Sequence, residues 1–124
     1  MARVFLDTNI FIDLVEQRRS AVEENLENHD LFLSPLSIHI LLYVTKKKIP
    51  YDRLTNIVAR FHLISFDGDT AYRALEGPTA DFEDNVQLLS GSTAECDAFL
   101  TADEKLLKLK FFGKMEIKPT LVKF

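Results

Sequence analysis

A short uncharged run, Val4-Phe5-Leu6, ends on Asp7 and passes directly into a helical repeat. An apolar, β-prone segment of this length reads as a buried strand. Thr8 and Asn9 offer side-chain oxygens able to cap a helix in which Ile10, Phe11, Leu14 and Val15 form a stripe of helical period. A carboxylate at the carboxyl end of a first, central strand stands where open α/β sheets place their ligand sites. Asp7 is therefore the leading functional candidate, against the plainer reading of a turn or N-cap residue.

The strand-then-helix alternation continues along the chain. Ser20 is placed to cap a helix with Glu23 three residues on, a capping-box spacing. Residues 31–34 predict a second strand, stopped by Pro35. Residues 37–48 predict a helix that is apolar nearly all round, hence buried or a self-association face, ending in Lys46, Lys47 and Lys48. A helix over 51–61, a strand over 63–66 and a short helix over 70–75 follow, broken by Gly77-Pro78. A long helix starts at Thr79, then come a strand over 98–101, a short helix over 106–109 and an edge strand over 115–117. This order predicts a three-layer α/β/α fold around a central parallel sheet of four to five strands. A chain of 124 residues supports one such core, so 1–124 is expected to be a single domain.

In a parallel sheet all carboxyl ends face one way, so Asp7 and Asp103, each just after a strand, point to one crevice. Asp97 opens its strand and belongs at the other end. Asp81, Glu83 and Asp84 open the long helix, where acids also serve simply as first-turn charge. That helix would bring Asp81 and Asp84, one turn apart, to the same rim, and four carboxylates meeting there repel one another and raise their own pKa values unless cations bind. Oxygen-only ligands suit Mg²⁺ or Mn²⁺, and the chemistry such sites serve is commonly phosphodiester hydrolysis. The net charge of −4 argues against a nucleic-acid binder that relies on broad electrostatic attraction, but not against an acidic metal site. The single cysteine, Cys96, rules out an internal disulfide or multi-Cys zinc site and fits a cytoplasmic setting. Met1-Ala2-Arg3 leads straight into a strand and no apolar run approaches a membrane span, so neither a signal peptide nor a membrane partner is expected.

Three blocks resemble the PIN domain family, which includes the VapC-type toxins of bacterial and archaeal toxin–antitoxin pairs. Leu6-Asp7-Thr8-Asn9-Ile10-Phe11-Ile12-Asp13 is similar to the family's opening motif, Asp81-Phe82-Glu83-Asp84-Asn85-Val86-Gln87 to its third-acid block, and Asp97-Ala98-Phe99-Leu100-Thr101-Ala102-Asp103 to its last core strand and final acid. The resemblance implies a metal-dependent ribonuclease with a five-stranded parallel sheet, often a homodimer. It implies Asp7 and Asp84 as main metal ligands, Asp103 assisting and Asp81 near, with Thr8, Asn9 and Thr101 supporting by hydrogen bonds. One departure stands out. The family usually places a Glu in the helix after the second strand, and the aligned position here is Ile40, with no acid between Asp30 and Asp52. His39 is adjacent but reads more simply as an exposed or capping histidine.

The expectation is thus a Mg²⁺- or Mn²⁺-dependent endoribonuclease acting on RNA, the toxin partner of an antitoxin and a homodimer. A second reading is an impaired PIN-like fold serving as a binding module, favoured by Ile40. A haloacid-dehalogenase-type phosphatase is disfavoured because it needs an acid where Asn9 stands. Lys105 and Lys108, just after Asp103, are the candidate RNA-facing cations; the helix over 37–48 is the candidate oligomer or antitoxin surface.

Overall fold

A computed structural model describes residues 1–18 and 26–121 of the chain. The helix expected around Ser20 and Glu23 lies outside the described residues, as does the end of the tail.

The chain opens with strand β1 (Arg3–Leu6) and helix α1 (Thr8–Val15), then β2 (Asp30–Leu33), α2 (Pro35–Thr45), α3 (Asp52–Val58) and β3 (His62–Leu63). It continues with α4 (Gly68–Ala74), α5 (Phe82–Thr93), β4 (Ala98–Leu100), α6 (Glu104–Leu107), β5 (Phe111–Phe112) and β6 (Met115–Lys118). The strands form one sheet in the order β3-β2-β1-β4-β6-β5. Neighbours are parallel except β5, which pairs antiparallel with β6.

Strand residues alternate between two cores because successive side chains leave opposite faces of a sheet. Val4, Leu6, Leu33, Ala98 and Leu100 pack with Ile10, Phe11, Leu14, Leu41, Leu54 and Ile57 of α1, α2 and α3. Phe5, Phe32 and Phe99 face the other way, toward Leu88 of α5 and Leu106 of α6. Phe5 pairs with Phe99 in the parallel register, and their rings stack with centroids 5.4 Å apart. Burial on both faces is why β1 and β4 read as unbroken apolar runs.

The predicted three-layer α/β/α class holds: β3, β2, β1, β4 and β6 form a central parallel sheet of five strands, and an antiparallel sixth strand is added at the edge. The unforeseen strand is β5, only two residues long, which gives no periodic signal. Gly113, at φ 62°, turns the chain between β5 and β6, so β6 lies inside the sheet and the edge is β5. Helix ends also move. Pro35 occupies the first turn of α2, and Lys46, at φ 58°, ends it in the left-handed region. Only Ser37 and Leu41 of α2 are fully buried, while Tyr43 stands 77% exposed, so this helix is not covered all round. The long helix begins at Phe82, because Asp81 rather than Thr79 provides its N-cap.

Candidate active site

From β1 the chain builds outward to β2 and β3, then crosses to β4 on the other side of β1. The reversal falls between β1 and β4, and a crevice opens outside the carboxyl ends of strands at such a switch point. Asp7 follows β1 and Asp103 follows β4, so topology alone brings these acids to one place. The Asp7 N–H donates to the Leu100 carbonyl (3.0 Å), which continues the ladder into the site.

Asp7 is the N-cap residue of α1, yet its side chain makes no capping bond. The Thr8 N–H is instead taken by Gln87 Oε1 of α5 at 2.8 Å. The Asp7 carboxylate, only 4% exposed, accepts a 2.6 Å hydrogen bond from Thr101 Oγ1. That same hydroxyl accepts the Asp103 N–H at 3.0 Å, so its single proton is directed at Asp7. Asp7 thus holds the N-cap position, but its carboxylate is turned to Thr101 and makes no cap hydrogen bond. Burial raises the Asp7 pKa, opposed by hydrogen bonding from Thr101, Thr8 and Gln87 and reinforced by the charge of Asp103.

The acids at the other positions carry two duties. Asp81 Oδ1 accepts the Asp84 N–H (2.9 Å) and caps α5, while Asp103 Oδ1 accepts the Lys105 N–H (2.8 Å) and caps α6. The plainer reading of this group as first-turn charge describes the position of Glu83 and Asp84, whereas Asp81 is the N-cap. Asp84 is not so engaged, and its carboxyl is pushed up to about 7, by burial first and then by the charges of Asp81, Asp7, Asp103 and Glu83. Glu83 is raised as well, chiefly by burial, with the charges of Asp7 and Asp81 adding to it. The start of α5 is fixed by Asn85, whose side chain accepts from Thr79 N–H and Oγ1 and donates to the carbonyls of Ala74 and Thr79.

One cleft gathers these groups: Asp7, Asp13, Asp81, Glu83, Asp84 and Asp103 line it with Asn9, Ile12, Ile40, Val44 and Arg18. Asp7, Asp81, Asp84, Asp103 and Asn9 are thus together, as expected from the sequence. Thr101 is the buried anchor behind Asp7. Thr8 acts further back, its hydroxyl sharing a 2.8 Å hydrogen bond with Ser37 of α2. Ile40 lines the same cleft. His39 is exposed and stacks near Tyr43 instead. Lys105 and Lys108 are exposed on and just after α6, beyond Asp103 rather than in the cleft lining. Asp97 binds the Arg3 N–H at the opposite end of β1 (2.9 Å).

Sequence reasoning missed Gln87, Ser37, Asp13 and the placement of Glu83 and Arg18 in the lining. Gln87 had one visible signal: a polar side chain on the face that α5 buries, three residues after Asp84. Among the described residues no three His, Cys, Asp or Glu side chains are drawn tightly enough together to cage one ion. The donor set is nevertheless all oxygen and strongly acidic, with Arg18 the only cation in the described lining. Such a set fits a hard divalent cation, whose charge offsets the mutual repulsion seen at Asp84. Among the described residues no helix is long and apolar enough to cross a membrane.

In fold the chain is similar to a chain of VapBC2 from Rickettsia felis, in a crystal structure bound to a DNA fragment from their promoter. The TM-score is 0.69 at 16% identity, covering 94% of this chain and 97% of that one. It is also similar to PAE2754 from Pyrobaculum aerophilum, with a TM-score of 0.56 at 13% identity over 86% of this chain and 84% of that one. Compared with curated protein sequences, it shows no significant match. The PIN domain profile matches residues 4–111, a span that includes every acid of the cleft, and the chain belongs to the PIN domain family.

Proposed function

We propose that this protein is a metal-dependent endoribonuclease that hydrolyses RNA phosphodiester bonds and acts as the toxin of a toxin–antitoxin pair. PIN domains are generally nucleases, and the family match supports that class. The observation that carries the reading is the state of Asp7: buried at the switch point, released from capping and held by Thr101 in a cleft shared with Asp84, Asp103 and Asp81. A carboxylate kept this way has no structural duty that a cap or an apolar residue would not serve better.

Asp7, Asp84 and Asp103 would hold Mg²⁺ or Mn²⁺, with Asp81 close by. A bound ion of this kind activates water and stabilises the leaving oxygen of a phosphodiester. The protein's own part is positional. Thr101 orients Asp7 and ties it to Asp103, Thr8 fastens the first turn of α1 to Ser37, and Asn9 lines the cleft beside Asp7. Lys105 and Lys108, exposed past Asp103, are placed to meet phosphates of a bound RNA strand, and Arg18 in the cleft wall has the same charge.

The partner reading follows the same line. The resemblance of its motifs to the VapC-type toxins, together with the similarity in fold to a chain of VapBC2, supports an antitoxin partner for this chain. The exposed Tyr43 and Val44 on α2 are the surface we assign to that partner or to a homodimer, in a single-domain cytoplasmic protein. Ile40 in the cleft favours the second reading, a PIN fold that binds RNA or protein without cutting. Incubation of end-labelled RNA with the wild type, with Asp7→Asn, and with excess chelator separates the two. Cleavage lost in both controls supports the nuclease; RNA retained but uncut by the wild type in Mn²⁺ supports the binding module.

A further inference from the structure

Ile40 removes a carboxylate from the α2 wall of the cleft, but the opposite layer offers another. Glu83 lies on α5, one residue before Asp84, and lines the same cleft as Ile40. A first-turn glutamate left to itself points to solvent and favours the helix dipole. Glu83 does not: it is half-buried, and its Oε2 accepts a 3.1 Å hydrogen bond from Gln87 Nε2. Gln87 has no exposed surface, and its Oε1 takes the Thr8 N–H at 2.8 Å. Each half of that amide is thus committed, one to the first turn of α1 beside Asp7 and the other to Glu83. Reversing the amide would break both bonds, so its orientation is fixed by its partners.

The geometry points to Glu83 as a further metal-site carboxylate, held in the cleft by Gln87 and standing in for the acid that Ile40 replaces. Gln87 is the positioning residue: it locks α5 to the start of α1, so that Glu83 and Asp7 keep a fixed relation. This assignment rests on the nuclease reading of the cleft and adds to it a ligand from α5.

Mn²⁺ calorimetry on the full chain tests it, with thermal melts as the check on folding. Glu83→Gln keeps size and hydrogen bonding while removing the charge, and is expected to weaken Mn²⁺ binding about tenfold or more. Gln87→Met, which removes only the positioning amide, is expected to weaken it by about tenfold, the scale seen for partners that orient metal ligands. Adding Ile40→Glu to Glu83→Gln is expected to restore affinity, which a purely structural role for Glu83 would not produce. Unchanged affinity in Glu83→Gln, beside lost binding in Asp84→Asn, would overturn the assignment and leave the nuclease reading intact. No Mn²⁺ binding by the wild type would overturn both. If Gln87→Met does not fold, Glu83→Gln and its rescue decide the matter alone.

Discussion

Thr101 shows how much of this site depends on one hydroxyl. It is fully buried, donates to Asp7 and accepts from Asp103 N–H, so Thr101→Val leaves a buried carboxylate without its nearest donor. The expected cost is about 1–3 kcal/mol in denaturant unfolding, together with weaker Mn²⁺ binding. Asp84 carries the opposite kind of stress. Its folded-state pKa, about 7, lies above the ordinary 3.8, so the folded protein keeps a proton that the unfolded chain releases between those values. Stability without metal therefore falls as pH rises through that window, and Asp7 and Glu83, both raised, act in the same direction. Asp84→Asn should flatten this decline and, in chelator at pH 8, raise the melting temperature by a few degrees. A steeper decline in the variant would contradict the burial and repulsion assigned to Asp84.

Elements reach the site through a few close contacts. Helix α5 lies directly on the sheet at Gly91, where an added Cβ would meet Met115 Sδ at 2.8 Å and Phe5 Cβ at 3.3 Å. Gly91→Val is therefore expected to cost about 1–3 kcal/mol and to disturb the acids at the α5 amino end. At the other end of α1, the Arg53 guanidinium donates to the Val15 and Leu14 carbonyls. Arg53→Met should lower stability by about 1–2 kcal/mol, with Mn²⁺ affinity unchanged, because that end faces away from Asp7. The long elements were readable because their apolar residues follow one period: β1, β4, α1 and the body of α5 all stand where pattern placed them. The short ones were not. β3 and β5 have two residues each, and their pairing comes from neighbours rather than from their own sequence. The long helix starts at Phe82 rather than Thr79, since Asp81 caps it while Thr79 is bound by Asn85 ahead of it.

For the whole molecule, the decisive fact is the reversal of strand order between β1 and β4. It explains why acids at residues 7 and 103, far apart in the chain, meet in one cleft with those at 81, 83 and 84. Their convergence was legible, because parallel strands share a direction and each acid followed a strand or opened a helix. Thr101 was expected as a supporting residue, but its double engagement, donating to Asp7 and accepting from the Asp103 N–H, and the tie that Gln87 makes between layers both need three dimensions. The placement of Lys105 and Lys108 beside this cleft predicts that charge reversal at both weakens RNA binding and flattens its salt dependence, as read by fluorescence anisotropy. The most direct test of the central claim is calorimetric titration of Mn²⁺ and Mg²⁺ into the wild type and Asp84→Asn, on protein first stripped with chelator, paired with RNA cleavage. The acidic cleft predicts binding by the wild type that Asp84→Asn loses, with cleavage following the bound ion. A wild type that binds neither ion, in a cleft still folded as described, would contradict it.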